Sequence, residues 1–169
     1  VFIEGRPVEV RAWQYRVTGV SGYEIPVFFL DTDLPENTRY DRELSYHLYS
    51  GDKKYRLCQE LILGIGGVRM LRALGHKDIE RFHMNEGHAG LLTLELLSEQ
   101  LEKEGKKAIE KDHLEQLRNK CVFTTHTPVP AGHDKFSLQT ARKVIGEHPG
   151  WEVESELCCN DGELNMTYL

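Results

Sequence analysis

The sequence lacks the features that would place this protein in a membrane or on a nucleic acid. Its longest apolar stretch, residues 61–68, is interrupted by three glycines and is too short to span a bilayer. The 27 acidic residues outnumber the 21 basic ones without any basic block, so the positive surface that nucleic acid or anionic lipid requires is missing. We therefore expect no nucleic acid and no membrane as a partner.

Cysteine is scarce, and the common motifs of metal, nucleotide and nucleophilic sites are absent. The chain has four cysteines without a Cys-x-x-Cys pair, and the neighbours Cys158 and Cys159 cannot pair with each other without strain. It contains no His-x-x-x-His pair, no phosphate-binding Gly-x-x-x-x-Gly-Lys loop and no Gly-x-Ser-x-Gly turn. We expect free thiols in a reducing compartment.

The composition, 40% hydrophobic and 28% charged, is that of a globular protein, and its first third favours strands. Apolar and polar residues alternate over 8–17, glycines at 19–22 indicate a turn, and a second apolar run covers 25–30. The sequence therefore predicts an N-terminal β-hairpin region in a strand-rich segment, 1–37, followed by an α/β segment, 38–169. The first and last residues suggest a piece of a longer chain.

The longest predicted helix covers residues 52–75, with Asp52 as its cap and Gly75 as its stop. It contains Gly64, Gly66 and Gly67, although each glycine in a helix costs roughly 1 kcal/mol relative to alanine. We expect that another backbone approaches the helix closely at these positions.

Two units of strand, polar tip and helix follow this helix. A strand at 81–85 precedes a leucine-rich helix at 89–101, and after a second helix comes a strand at 121–125. This order is typical of a parallel sheet with helical crossovers, whose ligands bind at the carboxyl ends of the strands. The polar tips at 85–88 and 126–133 are therefore the candidate site.

Both tips carry groups that can hydrogen-bond the hydroxyls of a sugar, and two other interpretations remain open. The prolines at 128 and 130 would hold the second tip extended. Either tip could instead be a structural strand exit or a cap for helix amides. A metal site is a further alternative, because the tips contain His83, Glu86, His88, His126, His133 and Asp134. We expect a structural role for His83, and solvated side chains for His47, His76, His113 and His148.

Four segments in one order, 31–37, 55–69, 83–88 and 123–134, resemble the α-glucan phosphorylases, in particular their shorter bacterial and archaeal type. The resemblance implies a glycosyltransferase of the GT-B type, built from two Rossmann-like domains with the active site between them. This chain would be a central part of the N-terminal domain. The implied reaction cleaves terminal α-1,4-linked glucose from a glucan or maltooligosaccharide with inorganic phosphate, which releases glucose 1-phosphate.

The resemblance also implies roles for individual residues. His126 would be catalytic, because its backbone carbonyl can stabilise positive charge at the anomeric carbon. The residues that would contact substrate are Asn85, Glu86, His88, Thr125 and Asp52. Asp52 falls where the family has a gate loop, but Lys53 follows it in place of the asparagine of muscle-type enzymes.

The remaining implications concern the whole enzyme. The lysine that binds pyridoxal 5'-phosphate and the residues that hold phosphate would lie outside this chain, which would contain no cofactor-binding residue and no metal ligand. The parent enzyme would be a cytoplasmic homo-oligomer of an allosteric family, although the controls of muscle-type enzymes should not be carried over. The alternatives are a non-catalytic carbohydrate-binding α/β module and a metal-dependent hydrolase.

Overall fold

The first third of the chain contains an antiparallel hairpin. The structure is a computed structural model, and it describes residues 1–48, 50–127, 129, 133–153, 159–160 and 162–169. Two short strands, β1 (Phe2–Ile3) and β2 (Arg6–Pro7), form a tight turn before the hairpin. The hairpin itself pairs β3 (Arg11–Thr18) with β4 (Glu24–Asp31) in an antiparallel ladder. The predicted hairpin is thereby confirmed.

A continuous helical stretch follows a short helix, α1 (Arg39–Arg42), and a 3-10 turn (Glu43–Ser45). It consists of α2 (Lys53–Leu61), a π-helical turn (Ile62–Gly66) and α3 (Gly67–Ala73). Asp52 caps its start by accepting a 2.8 Å bond from the N–H of Tyr55. Gly75 follows its end at a φ of 92°, as predicted. No helix among the described residues is both long and apolar enough to cross a membrane.

The glycines of this stretch differ in their surroundings. A Cβ on Gly64 would lie 2.8 Å from the backbone nitrogen of Leu92, which confirms the predicted close approach of another backbone. A Cβ on Gly67 would instead lie 4.0 Å from a side-chain carbon of Leu30. The π-helical turn therefore coincides with the point where a second helix begins against the first.

The two predicted strands with polar tips form a parallel pair. β5 (Phe82–Asn85) pairs with β6 (Cys121–Thr124), so that Asn85 lies opposite Thr124 at the carboxyl end. The connection contains a 3-10 turn (Gly87–Ala89), α4 (Leu92–Glu104) and α5 (Lys111–Lys120). The protein is thus mixed α/β with small sheets, one of them parallel.

The last third contains a small antiparallel sheet that the sequence patterns did not predict. Its strand order is β7 (Lys135–Ser137), β9 (Glu163–Asn165), β8 (Cys159–Asn160). α6 (Leu138–Ile145) and a 3-10 turn (Pro149–Val153) precede β8. These strands are only two or three residues long, which is too short for a clear alternation of apolar and polar residues.

Buried side chains form two clusters. The first joins the N-terminal turn, α2, α6 and the last sheet, and includes Ile3, Val8, Leu57, Phe136, Val144 and Leu164. The second lies behind the parallel pair and includes Val68, Phe82, Met84, Leu97, Leu101 and Leu117. The strand tips therefore project from a sheet that is packed on one face.

Two of the four histidines expected to be solvated are not. His113 is 1% exposed, because its Nδ1 accepts the N–H of Glu110 at the start of α5 and its Nε2 lies 3.1 Å from Glu104. His148 is half-buried beside Ser98, and burial lowers its pKa. The prediction was wrong for both, since a capping interaction at the start of α5 holds His113 and burial beside Ser98 covers His148. His47 and His76 are exposed as expected.

The thiols agree with the sequence prediction where the structure describes them. Cys58 is buried and Cys121 is half-buried, and both are free. Burial raises the pKa of Cys58 to about 11, so this thiol stays protonated at neutral pH. Cys158 and the two prolines of the second tip, Pro128 and Pro130, lie outside the described residues.

Candidate functional site

The two polar tips meet at the carboxyl ends of β5 and β6. Oε1 of Glu86 accepts the backbone N–H of His126 at 2.7 Å and that of Thr127 at 2.8 Å. Nε2 of His126 lies 3.0 Å from the amide oxygen of Asn85. Because both strands end at the same edge, four of the predicted site residues come together: Asn85, Glu86, Thr125 and His126.

These four residues differ in whether a ligand could reach them. Asn85, Thr125 and His126 are exposed, and 61% of the His126 side chain is accessible. Glu86 is 3% exposed. The surface of the site therefore consists of an amide, a hydroxyl and an imidazole, with a carboxylate beneath them.

Glu86 is held as a carboxylate by the loop that it binds. The N–H of His126 is the main cause that lowers its pKa to about 2, with further contributions from the hydroxyls of Thr127 and Thr125. A carboxyl whose folded pKa is depressed stabilises the fold above its ordinary pKa of 4.5, and that contribution is lost as pH falls towards 2. The bonds between the tips therefore persist at neutral pH.

The backbone at Glu86 adopts a conformation that favours glycine. Its φ is 65° and its ψ is −177°, a region that costs other residues about 1–3 kcal/mol. The following Gly87 packs so closely that a Cβ there would lie 2.9 Å from the Cβ of Met166. The turn is thus fixed by packing on one side and by the carboxylate bonds on the other.

His88 belongs to a separate cluster of charged side chains. Arg56 donates to Oδ2 of Asp134 through Nε at 2.9 Å and Nη2 at 2.6 Å, and Nδ1 of His88 lies 3.4 Å from the same oxygen. Glu60 is 4% exposed, and its Oε1 lies 3.5 Å from Arg56 and 3.7 Å from His88. The cluster joins α2, the first tip and the end of the second tip.

The charges of this cluster balance when His88 is protonated and Glu60 is ionised. The bonds to Asp134 and Glu60 raise the pKa of His88 to about 9. Burial acts to raise the pKa of Asp134, but the bonds from His88 and Arg56 lower it to about 2. Burial also raises the pKa of Glu60, to about 7. Two cations thus face two carboxyl groups, of which Glu60 ionises least readily.

Glu60, His88 and Asp134 bear on the metal alternative, because their ligand atoms lie within 4.8 Å of one another. Arg56 already gives two N–H groups to the oxygen of Asp134 and lies 3.3 Å from Nδ1 of His88. A metal ion would place a second positive charge against this guanidinium. The donor set therefore fits an ion-pair network better than a metal centre.

The sequence patterns did not single out Arg56 and Glu60 as members of a charged cluster. The predicted substrate contact Asp52 lies far from the two tips in the sequence. Arg56 and Glu60 are four residues apart on α2, a spacing that places them on one helix face and was the available signal. The apolar periodicity of α2 obscured it. Asp52 is exposed and caps α2, and its predicted contact with substrate stays a prediction.

Comparison with known proteins gives one consistent result. The chain is 41% identical over 133 residues to the glycogen phosphorylase of Mycobacterium tuberculosis, a match that covers 75% of this chain and 15% of that protein. It is 40% identical over 141 residues to the maltodextrin phosphorylase of Thermococcus litoralis, covering 83% of this chain and 16% of that protein. The glycogen phosphorylase of Aquifex aeolicus is 35% identical over 130 residues, 76% of this chain and 17% of that protein. No protein-family profile matches the chain.

These matches show that this α/β chain, with its polar strand tips, is homologous to phosphorylases. Over three quarters of its length, the chain is a sequence relative of the α-glucan phosphorylases, which confirms the resemblance drawn from its motifs. It spans only about a sixth of the length of these relatives.

Proposed function

We propose that this chain forms part of the glucan-binding side of the active site of an α-1,4-glucan phosphorylase. The whole enzyme would cleave the terminal glucose of a glucan or maltooligosaccharide with inorganic phosphate. A phosphate oxygen bonds to the anomeric carbon, the glycosidic bond breaks, and the released glucan hydroxyl takes a proton. The GT-B fold, the cytoplasmic location and the homo-oligomer belong to the same proposal.

The observation that carries this proposal is the convergence of the two tips through Glu86. It brings Asn85, Thr125 and His126 to one exposed edge, where parallel sheets bind ligands. These groups are hydrogen-bonding side chains, which suit the hydroxyls of a sugar. In the proposed reaction, the carbonyl of His126 stabilises positive charge that develops at the anomeric carbon.

The lysines of this chain do not fit a pyridoxal 5'-phosphate site. Lys54 is half-buried and bonded to Glu4, and the other lysines are exposed. In the family this cofactor acts through its phosphate group, and we assign no residue of this chain to it. We propose that the lysine that binds it lies elsewhere in the parent enzyme.

The test is phosphorolysis by the full-length protein that carries this sequence. We expect phosphate-dependent release of glucose 1-phosphate from maltodextrin. In each of the single variants Asn85→Ala and His126→Ala, we expect kcat/KM to fall at least about 10-fold. His47→Ala is the matched control, because His47 is exposed and remote in the chain. Absence of glucose 1-phosphate from the unaltered protein would refute the proposal.

Two further measurements separate the alternatives. A carbohydrate-binding module would bind maltooligosaccharides without phosphorolysis, whereas a metal-dependent hydrolase would release glucose and lose activity on treatment with a chelator. We expect phosphorolysis that survives the chelator, because Arg56 already occupies the carboxylate of Asp134.

A further inference from the structure

Glu86 combines an unusual backbone conformation with a carboxylate that is almost fully buried. It is a buried carboxylate at a left-handed φ of 65°, and it accepts two backbone N–H groups of the facing tip. A glycine would adopt this conformation without strain, but it has no carboxylate. Strained residues of this kind persist where the surroundings hold them, and they are common at functional sites.

The two bonds fix the orientation of His126 through the planarity of the peptide group. The N–H of His126 belongs to the peptide shared with Thr125, and the N–H of Thr127 belongs to the peptide shared with His126. In a trans peptide, N–H and C=O point in opposite directions. Because both N–H groups point at the buried carboxylate, the carbonyls of Thr125 and His126 point away from it.

The carbonyl oxygen of His126 is the acceptor that the proposed function requires. Among the described residues, its oxygen accepts no hydrogen bond. The adjoining side chains of Asn85, Thr125 and His126 are exposed on the same edge. The carbonyl that the proposed function requires therefore has a fixed direction and, within the part of the chain that the structure describes, no competing partner.

We propose that Glu86 is a positioning residue, which aims the backbone carbonyl of His126 at the substrate by holding the two peptide groups on either side of His126. It acts on the loop rather than on the sugar. Its effect on turnover rests on the proposed function, whereas its hold on the two amides does not. The two parts can therefore be tested separately.

The first test is amide hydrogen exchange in variants of Glu86. Glu86→Gln keeps an acceptor oxygen at the same place, Glu86→Ala removes it, and Glu86→Asp keeps the charge but retracts it by one methylene. We expect the amides of His126 and Thr127 to exchange at least about 10-fold faster in the Ala and Asp variants, and to remain protected in the Gln variant. The amide of Leu97 in the middle of α4 and the variant Glu80→Ala, at an exposed glutamate before β5, are the controls.

Unchanged protection of both amides in Glu86→Ala and Glu86→Asp would overturn the proposal. General unfolding is distinguished by the amide of Leu97 in α4, whose protection would be lost at the same time. Should the Ala variant fail to fold, the Asp variant decides, because it retains the buried charge.

The second test is the kinetics of phosphorolysis in the full-length protein. A displaced carbonyl weakens transition-state stabilisation, so we expect kcat to fall about 10- to 100-fold in the Ala and Asp variants, while KM for phosphate stays within about 3-fold. Glu86→Gln should recover most of kcat. A merely structural role would lower the amount of folded enzyme without this split between kcat and KM.

The outcomes distinguish failure of the inference from failure of the proposed function. If the unaltered protein shows no phosphorolysis, the proposed function fails, and the exchange test still decides the hold of Glu86 on the loop. If exchange changes while kcat does not, the role of Glu86 in turnover is refuted and the phosphorolysis itself stands.

Discussion

The hairpin β3–β4 and the parallel pair β5–β6 are both two-stranded sheets, but they depend on different contacts. The hairpin pairs eight residues of each strand, yet Trp13, Tyr15, Ile25 and Phe29 are each more than half exposed. The parallel pair has four residues in each strand, and its inner residues Phe82 and Met84 are buried in a helical core. The shorter sheet is therefore the better supported one.

This difference explains why the candidate site lies on the parallel pair. A binding site must hold its groups within fractions of an ångström, which requires packed surroundings. The tips of β5 and β6 have a core behind them and the carboxylate of Glu86 between them. The hairpin relies mainly on its ladder and on cross-strand contacts such as the salt bridge between Arg16 and Glu24. Four variants test this comparison.

The largest effect is expected behind the parallel pair, from Leu97→Ala. Leu97 is fully buried in the second cluster, so its truncation leaves a cavity and should lower the free energy of unfolding by about 2–5 kcal/mol. Urea unfolding measures this cost. The control is Leu63→Ala, at a leucine that is 49% exposed, where we expect a much smaller loss. Equal costs would contradict the contrast between packed and exposed surfaces.

A smaller loss is expected where α4 begins against the long helix. Gly64→Ala places a methyl group 2.8 Å from the backbone of Leu92, and displacing that backbone should cost about 1–3 kcal/mol. Gly67→Ala, whose new carbon has 4.0 Å to its nearest neighbour, should be neutral or stabilising by up to about 1 kcal/mol. Thermal unfolding of both variants compares their stabilities. If Gly64→Ala were as stable as the unaltered protein, the backbone of Leu92 would not be packed tightly against the long helix.

The ion-pair cluster should add a pH dependence to the region of the tips. The pKa of His88 is raised from 6.5 to about 9, so its contribution is fully present below pH 6.5 and is lost as pH rises to 9. After allowance for solvent screening, we expect a loss of about 1 kcal/mol across this window. Urea unfolding at several pH values should show it in the unaltered protein and in the control His47→Gln. In His88→Gln the loss between pH 7 and 9 should become smaller, because only Glu60, with its pKa raised to about 7, still titrates near this window. An unchanged loss would refute this assignment.

The smallest effect is expected in the hairpin, from Tyr15→Ala. Tyr15 is 63% exposed and lies opposite Val27, so the variant loses little more than a cross-strand contact, worth less than about 1 kcal/mol. The measurement is urea unfolding, compared directly with Leu97→Ala. A cost above that of Leu97→Ala would reverse the ranking of the two sheets.

Much of the architecture was predictable because it depends on local periodicity. The hairpin, the helix that Asp52 caps, and the two strands with polar tips were predicted within a few residues of their bounds. The π-helical turn and the strands β7 to β9 were not predicted. Runs of two to five residues are too short for a period to show, and their partners lie far away in the chain.

The candidate site was predictable in its members but not in its arrangement. Motif order singled out Asn85, Glu86, His88, Thr125 and His126, and the parallel order of the strands predicted that the tips would meet. Which side chain faces the ligand depends on burial, and burial is set by residues distant in sequence. Arg56, Glu60 and Asp134 show this, because their charges meet His88 only after α2 and the two tips have packed together.

The sequence by itself determined the similarity of this protein to the α-glucan phosphorylases, its mixed α/β character and the strand tips at which its polar residues collect, since these follow from local patterns and motif order. Only the tertiary structure decided that Glu86 lies beneath the site and holds His126, and that His88 joins an ion-pair cluster. The physical reason is that a carboxylate bonds whatever donors the fold brings within reach. Those donors are separated from Glu86 by an entire helical crossover.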